Sequence, residues 1–199
     1  MKAVVFDVGE TLVDETRYWQ TVADGLGVPR LTFFGVFGGL IERREDHRRI
    51  YDVFGTAPAG PVYEAGDFYP DALPCLEALA GAGYRLGLVG NQPAAHELFL
   101  REQEFGVDFV GSSESWGVAK PDPAFFQRVV EASGLAPREI AYVGDRVDND
   151  VVPAAEAGMV AVFVRRGPWG YLHADWPEAA RARVRVDSLA ELPEALALV

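Results

Sequence analysis

Lysine is nearly missing from this 199-residue chain: Lys2 and Lys120 stand alone, and the other 16 basic residues are arginines. Chemistry that needs a compact ammonium, as opposed to a guanidinium, therefore falls on Lys120 almost by default. Cysteine is equally scarce. Cys75 is the single one, so no disulfide can close within the chain, which fits a reducing compartment. Its surroundings, "LPCLEALA", read as a helix face and make it a packed thiol. Positive charge is short as well, with 18 Lys and Arg against 30 Asp and Glu and a formal net charge of −12. That sign argues against nucleic acid or an anionic membrane as the main partner. A phosphorylated small molecule stays open, because a metal ion or a few local cations reverse the field inside a pocket. Long apolar runs are absent: "LTFFGVFGGLI" is too short to span a bilayer, and Asp7 interrupts any signal-peptide core. The expected setting is cytoplasmic, with the oligomeric state unread.

What is present is the composition of a globular protein, 49% apolar and 24% charged. The opening "AVVF" reads as a strand ending on Asp7. Residues 14–26 have helical spacing, and 31–53 read as a longer helical stretch, apolar first and then charged; "GTAPAGPVYEAGDFYP" is loop and turn. From residue 71 helices and strands alternate. Helices are expected over "DALPCLEALAGAG", "PAAHELFLREQEF", "DPAFFQRVVEASGL" with Asp122 as its cap, and "NDVVPAAEAGM". Strands are expected over "YRLGLVG", "VDFVGSS", "EIAYVGD" and "VAVFVRRG", with a short strand and a last helix in the tail. This alternation implies βαβ units and an α/β fold, a doubly wound Rossmann-like parallel sheet covered on both faces. The core would comprise 1–13 and 71–199, with 14–70 inserted as a small α-helical cap beside the end of the sheet where ligands sit.

Four places fall at the carboxyl ends of these strands: Asp7, Gly90–Asn91, Lys120 in "GVAKPDP", and Asp145 in "YVGDRVDND". Carboxylates gathered at one sheet edge cost several kcal/mol to bury unless a cation intervenes. A hard divalent ion such as Mg²⁺ answers that need. A lysine among them would neutralise further charge and keep a carboxylate ionised and nucleophilic.

The ordered set "FDVGETL … GVAKPDPAFF … YVGDRVDNDVVPAAEAGM" resembles the haloacid dehalogenase-like (HAD) hydrolases, in the branch whose helical cap follows the first strand. The resemblance spans nearly the whole chain. It implies a Mg²⁺-dependent hydrolase, foremost a phosphatase of a small organic phosphate. Asp7 would be the nucleophile, forming an aspartyl-phosphate. The Gly9 carbonyl and Asp145 would bind metal together with Asp7, Asp150 would help, and Lys120 would bridge Asp7, a motif carboxylate and the substrate anion. Gly90 and Asn91 would meet the phosphoryl group.

Two departures stand out against that family. The second Asp expected two residues after the nucleophile, which protonates the leaving oxygen, is Gly9 here. The Ser or Thr expected at the end of the second strand is Gly90. Losing a general acid/base costs roughly 10²–10⁴-fold in rate, so good leaving groups are expected to suffer least. Two rival readings follow: an impaired member that binds a phosphorylated ligand or a protein, and a haloacid dehalogenase, which needs no proton on its leaving halide but fits "GDRVDND" poorly. A phosphonate-cleaving role needs a cap lysine, and the cap has none.

Blander roles remain for several residues. Asp7 alone fits a turn or N-cap, Asp145 and Asp150 fit helix-start acids, and Lys120 fits a surface lysine. Asp148 and Asn149 read as solvated or capping residues, and Arg146 as half of a surface salt bridge. "RREDHRR" reads as a solvated helix face with i,i+4 pairs. Trp19, Phe33, Phe34, Phe37, Tyr51 and Phe54 read as cap core with one or two members at the pocket. His47, His96 and His173 show no ligand spacing and carry no assignment.

Overall fold

The computed structural model describes residues 1–56, 60–103 and 105–199. Its first strand, β1 (Ala3–Phe6), explains the architecture. All four residues are fully buried, so both faces of the strand must be covered. Val4 and Phe6 enter one apolar cluster while Ala3 and Val5 enter another, the period-2 alternation of a pleated strand. A parallel sheet sandwiched between helices is the arrangement that satisfies this demand.

The other strands are β2 (Arg85–Gly90), β3 (Phe109–Ser112), β4 (Ile140–Gly144), β5 (Val160–Val164) and β6 (Val184–Val186), all paired in parallel in the order β3-β2-β1-β4-β5-β6. One face carries Cys75, Leu76 and Leu79 of one helix (Ala72–Gly81) together with Leu100, Leu192 and Leu196. Phe125, Phe126 and Val129 cover the other from a helix (Pro123–Ser133) that Asp122 caps by accepting the Ala124 N–H. The chain leaves β1 toward β2 and β3, then crosses back to β4 on the opposite side of β1. The strand order thus reverses between β1 and β4, and a crevice opens there at the carboxyl edge.

Between β1 and Ala72 lie α1 (Thr16–Gly25), α2 (Arg30–Glu42) and α3 (Ile50–Phe54). They close on Trp19, Val22, Phe33, Phe37, Ile41 and Ile50, a cluster apart from the two that flank the sheet. The two chain connections run side by side: the Asp14 N–H donates to the Asp67 carbonyl (2.8 Å), and the Tyr69 N–H to the Leu12 carbonyl (2.9 Å).

Three local expectations change. The single helix over 31–53 breaks after Glu42, where Arg44 turns left-handed at φ 58°. The Asp46 carboxylate then takes the Arg48 N–H (2.9 Å) and starts a 3₁₀ turn, His47–Arg49, a side-chain competitor that helix continuation loses to. "RREDHRR" is therefore not one helix face, although Arg49 and Glu45 do pair at i,i+4. The helix over 149–159 begins instead as a π-helical turn, Val147–Val151, followed by Val152–Glu156. A further helix, Gly167–His173, was not expected, and its Trp169 packs into the α1–α3 cluster. Residues 57–59 of the expected loop and residue 104 of the expected helix lie outside the described residues.

Candidate active site

Asp7 is the first residue past β1, and its N–H still donates to the Val143 carbonyl of β4 (2.8 Å), which pins the start of the loop to the sheet edge. Asp145 directly follows β4. The π-helical turn folds Asp150 back, so that one of its oxygens accepts the Arg146 N–H at 3.0 Å. One carboxylate oxygen from each of Asp7, Asp145 and Asp150 then lies within 4.8 Å of the others. Lys120 enters from the loop ahead of the Pro123–Ser133 helix. Its Nζ donates to Asp7 Oδ1 at 2.7 Å and to Asp150 Oδ1 at 2.6 Å, with the side chain 2% exposed.

Burial governs the charges. It pushes the Asp145 carboxyl well above its ordinary range, and the fields of Asp150 and Asp7 add to the shift. Burial also raises Asp150, to about 7, against the pull of Lys120. The same desolvation would discharge Lys120, but the Asp150 and Asp7 carboxylates outweigh it and hold the ammonium far above the usual lysine range. One ammonium faces three carboxyl groups, so it cannot by itself compensate all of them when ionised. Asp145 Oδ2 is buried without a hydrogen-bond partner, and Oδ1 has only a long contact from the Thr11 hydroxyl, 3.5 Å. Orphaned hard oxygen donors in an acidic, buried corner fit a divalent cation. Asp7 and Asp145 have the free donor capacity; both Asp150 oxygens are taken, by Lys120 and by the Arg146 N–H.

Gly90 and Asn91 both line the same crevice. A Cβ at Gly90 would stand 3.0 Å from Asp7 Oδ1, tighter than ordinary packing allows, so glycine leaves that carboxylate room. Asn91 spends both ends of its amide on the Lys120 backbone, donating to the carbonyl (2.8 Å) and accepting the N–H (2.7 Å). It thereby aims the lysine. At Gly9 a Cβ would fall 2.6 Å from Glu15 Oε1 and 2.8 Å from its Cδ.

Above these residues opens a pocket of about 610 Å³, roofed by Tyr18, Trp19, His47, Tyr51 and Tyr63. Arg146 forms the expected ion pair, with the exposed Asp148, but its own side chain is largely buried. Its guanidinium lies in the pocket wall, 4.9 Å from the Trp169 ring, while bonding Asp148 at 2.7 Å. His47 and His96, unassigned from sequence, line the pocket too, and burial lowers His47 to about 4. Glu15 is the most telling residue that sequence reasoning missed. Its oxygens accept the Tyr63 hydroxyl (2.6 Å) and the Trp19 indole N–H (3.1 Å), and burial raises its carboxyl. The acidic pair Asp14–Glu15 just past the first motif was the available signal.

A family model described as haloacid dehalogenase-like hydrolase matches residues 1–158. The glyceraldehyde 3-phosphate phosphatase of Methanopyrus kandleri is 39% identical over 105 residues, which cover 51% of this chain and 45% of that protein. The chain thus spans about half the length of that relative. The enzyme of the same name from Pyrococcus furiosus is 31% identical over 210 positions, covering 90% of this chain and 87% of the relative. The crystal structure of a HAD phosphatase from Thermococcus onnurineus superposes with a TM-score of 0.66 at 26% identity, covering 98% of each chain. The Asp7–Lys120–Asp145 crevice at the strand reversal and a family match across residues 1–158 agree, and the chain belongs to the haloacid dehalogenase-like hydrolases.

Proposed function

We propose that the protein is a phosphatase of small organic phosphates that works through an aspartyl-phosphate on Asp7, with residues 14–70 as a cap over the site. The observation that carries this reading is the Asp7 carboxylate. It is 7% exposed, held at 2.7 Å by the sole buried lysine, and set at the floor of the pocket. The names of the relatives, glyceraldehyde 3-phosphate phosphatase and phosphoglycolate phosphatase, support the substrate class.

In this mechanism Asp7 uses the oxygen not bonded to Lys120 to attack phosphorus, in line with the leaving oxygen. Lys120 holds the Asp7 carboxylate in orientation and offers its remaining donor to the phosphoryl group. Asn91 holds the lysine's backbone in place. Mg²⁺ bound by Asp7, Asp145 and the Gly9 carbonyl would supply charge stabilisation for the phosphoryl oxygens. Asp150 takes part through Lys120 and the Arg146 amide. The roof aromatics exclude water during transfer.

The test is hydrolysis of acetyl phosphate and p-nitrophenyl phosphate with Mg²⁺, and again after chelation. Metal-dependent turnover that Asp7→Asn abolishes is expected. Absence of turnover with both substrates, or an Asp7→Asn variant as active as the parent, would overturn the reading.

A further inference from the structure

Phosphoryl transfer from a poor leaving group needs a proton donor at the leaving oxygen. The resulting aspartyl-phosphate then needs a base for the attacking water. Of the groups near Asp7, Lys120 and Asp150 are bound to one another and Asp145 is the orphaned cation donor. Position 9, two residues past the nucleophile, has no side chain. Its space is not empty, however: the Glu15 carboxyl group fills the volume a residue-9 side chain would occupy, 2.6 Å from the ideal Cβ.

We propose that Glu15 is the general acid/base of this site, delivered from the start of α1 into the place that Gly9 leaves open. This inference rests on the phosphatase reading above. The carboxyl group is not a loose surface acid. Tyr63 from one cap connection and Trp19 from α1 each hold one of its oxygens, and it shares the pocket with Asp7. Both holders are hydrogen-bond donors, so each oxygen keeps a lone pair, or a proton, for the pocket. Both also belong to the segment over the site, so the acid is seated by the same element that covers the substrate. Gly9 then reads as the cavity that admits Glu15, and the expectation of a site without a proton donor is revised.

The proton balance closes. Asp7 forms a bond to phosphorus as the phosphorus–oxygen ester bond breaks, and the electron pair leaving on that oxygen takes the Glu15 proton, releasing an alcohol. Glu15, now a carboxylate, removes a proton from water as the water oxygen attacks phosphorus. The bond to Asp7 breaks, its electrons return to the Asp7 carboxylate, and inorganic phosphate departs with Glu15 protonated again.

The experiment compares the parent protein, Glu15→Gln, Glu15→Ala and the Gly9→Asp/Glu15→Ala double variant on acetyl, p-nitrophenyl and simple alkyl phosphates with Mg²⁺. Glu15→Gln should lose roughly 10²–10⁴-fold on alkyl phosphate, while acetyl phosphate, whose leaving group needs no proton, should still phosphorylate Asp7 in the variant and stall at the hydrolysis step. Radiolabelled acetyl phosphate should leave a phosphoenzyme that accumulates in the variant and not in the parent, a signature that a misplaced or unfolded site does not give. The double variant should regain alkyl-phosphate turnover over Glu15→Ala, because it returns a carboxyl group to the vacated volume. If Glu15→Gln slows all three substrates equally without phosphoenzyme, or if the double variant stays as slow as Glu15→Ala, the role of Glu15 falls and the phosphatase reading stands. If the parent turns over none of them, both fall.

Discussion

Replacing Lys120 by Met tests the electrostatic logic of the site most directly. The substitution removes an ammonium 2% exposed that bonds two carboxylates at 2.7 and 2.6 Å, while keeping similar apolar bulk. Stripping one partner from a buried ion pair costs about 3–5 kcal/mol, because the remaining charge is left uncompensated. At roughly 2–4 °C per kcal/mol for a chain of this size, the melting temperature should fall by roughly 6–20 °C. The loss should also depend on pH. The Asp150 carboxyl is raised by burial from 3.8 to about 7 with the lysine present, and loses a lowering influence without it. A carboxyl raised in the folded state adds stability that is complete below the unfolded pKa and drains away as pH climbs through the folded one. In the variant that drain extends to higher pH, so the gap from the parent should widen between about pH 5 and about pH 8. Added Mg²⁺ should stabilise each protein by about 2.7 kcal/mol at a hundredfold above its own Kd. The gap therefore narrows only as far as the variant, with more uncompensated negative charge, binds the ion more tightly than the parent. Melts recorded at the two pH values, with chelator and with Mg²⁺, give all three readings. A gap of a degree or two, or one of equal size at both pH values, would refute the view that Lys120 balances the buried carboxylates.

Other consequences are as accessible. Asn91→Ala removes two hydrogen bonds to the Lys120 backbone and should cost about 1–3 kcal/mol. Even a 1 Å drift of the lysine should lower kcat by roughly 10²-fold; steady-state kinetics showing an unchanged kcat would disprove the clamp. His173 accepts the Val147 N–H at its Nδ1 (3.1 Å), which demands a neutral ring, and burial lowers it from 6.5 to about 4. Its contribution is intact above the unfolded pKa and is lost as pH falls toward 4, about 3 kcal/mol in all. Urea titrations across that window should be less steep in pH for His173→Gln than for the parent. Trp169→Ala empties a 5% exposed position in the α1–α3 cluster and should cost about 3–5 kcal/mol in calorimetry, without moving the melting transition's dependence on Mg²⁺.

The sequence by itself determined the sheet and the reach of the site. A strand as apolar as "AVVF" has to be covered on both faces, and a period-2 to period-3.6 alternation repeated from residue 71 leaves few alternatives to a doubly wound parallel sheet. Once the strands are parallel, residues at their carboxyl ends must converge, which is why Asp7, Lys120 and Asp145 could be named together although the chain separates them widely. These inferences are legible because pattern and topology are properties of the backbone. The tertiary structure decided which side chains touch. The break of the 31–53 helix turned on one left-handed arginine and one capping aspartate, a local competition too evenly matched for periodicity to settle. Trp169 joined the α1–α3 cluster from a helix far along the chain, and Asn91 came to rest against a lysine's backbone. Above all, Gly9 in sequence is a missing acid, while in space it is a vacated volume with the Glu15 carboxyl group inside it. Side chains meet through space, at distances set by how the whole chain packs, and a string of residues does not encode that proximity in any short-range pattern.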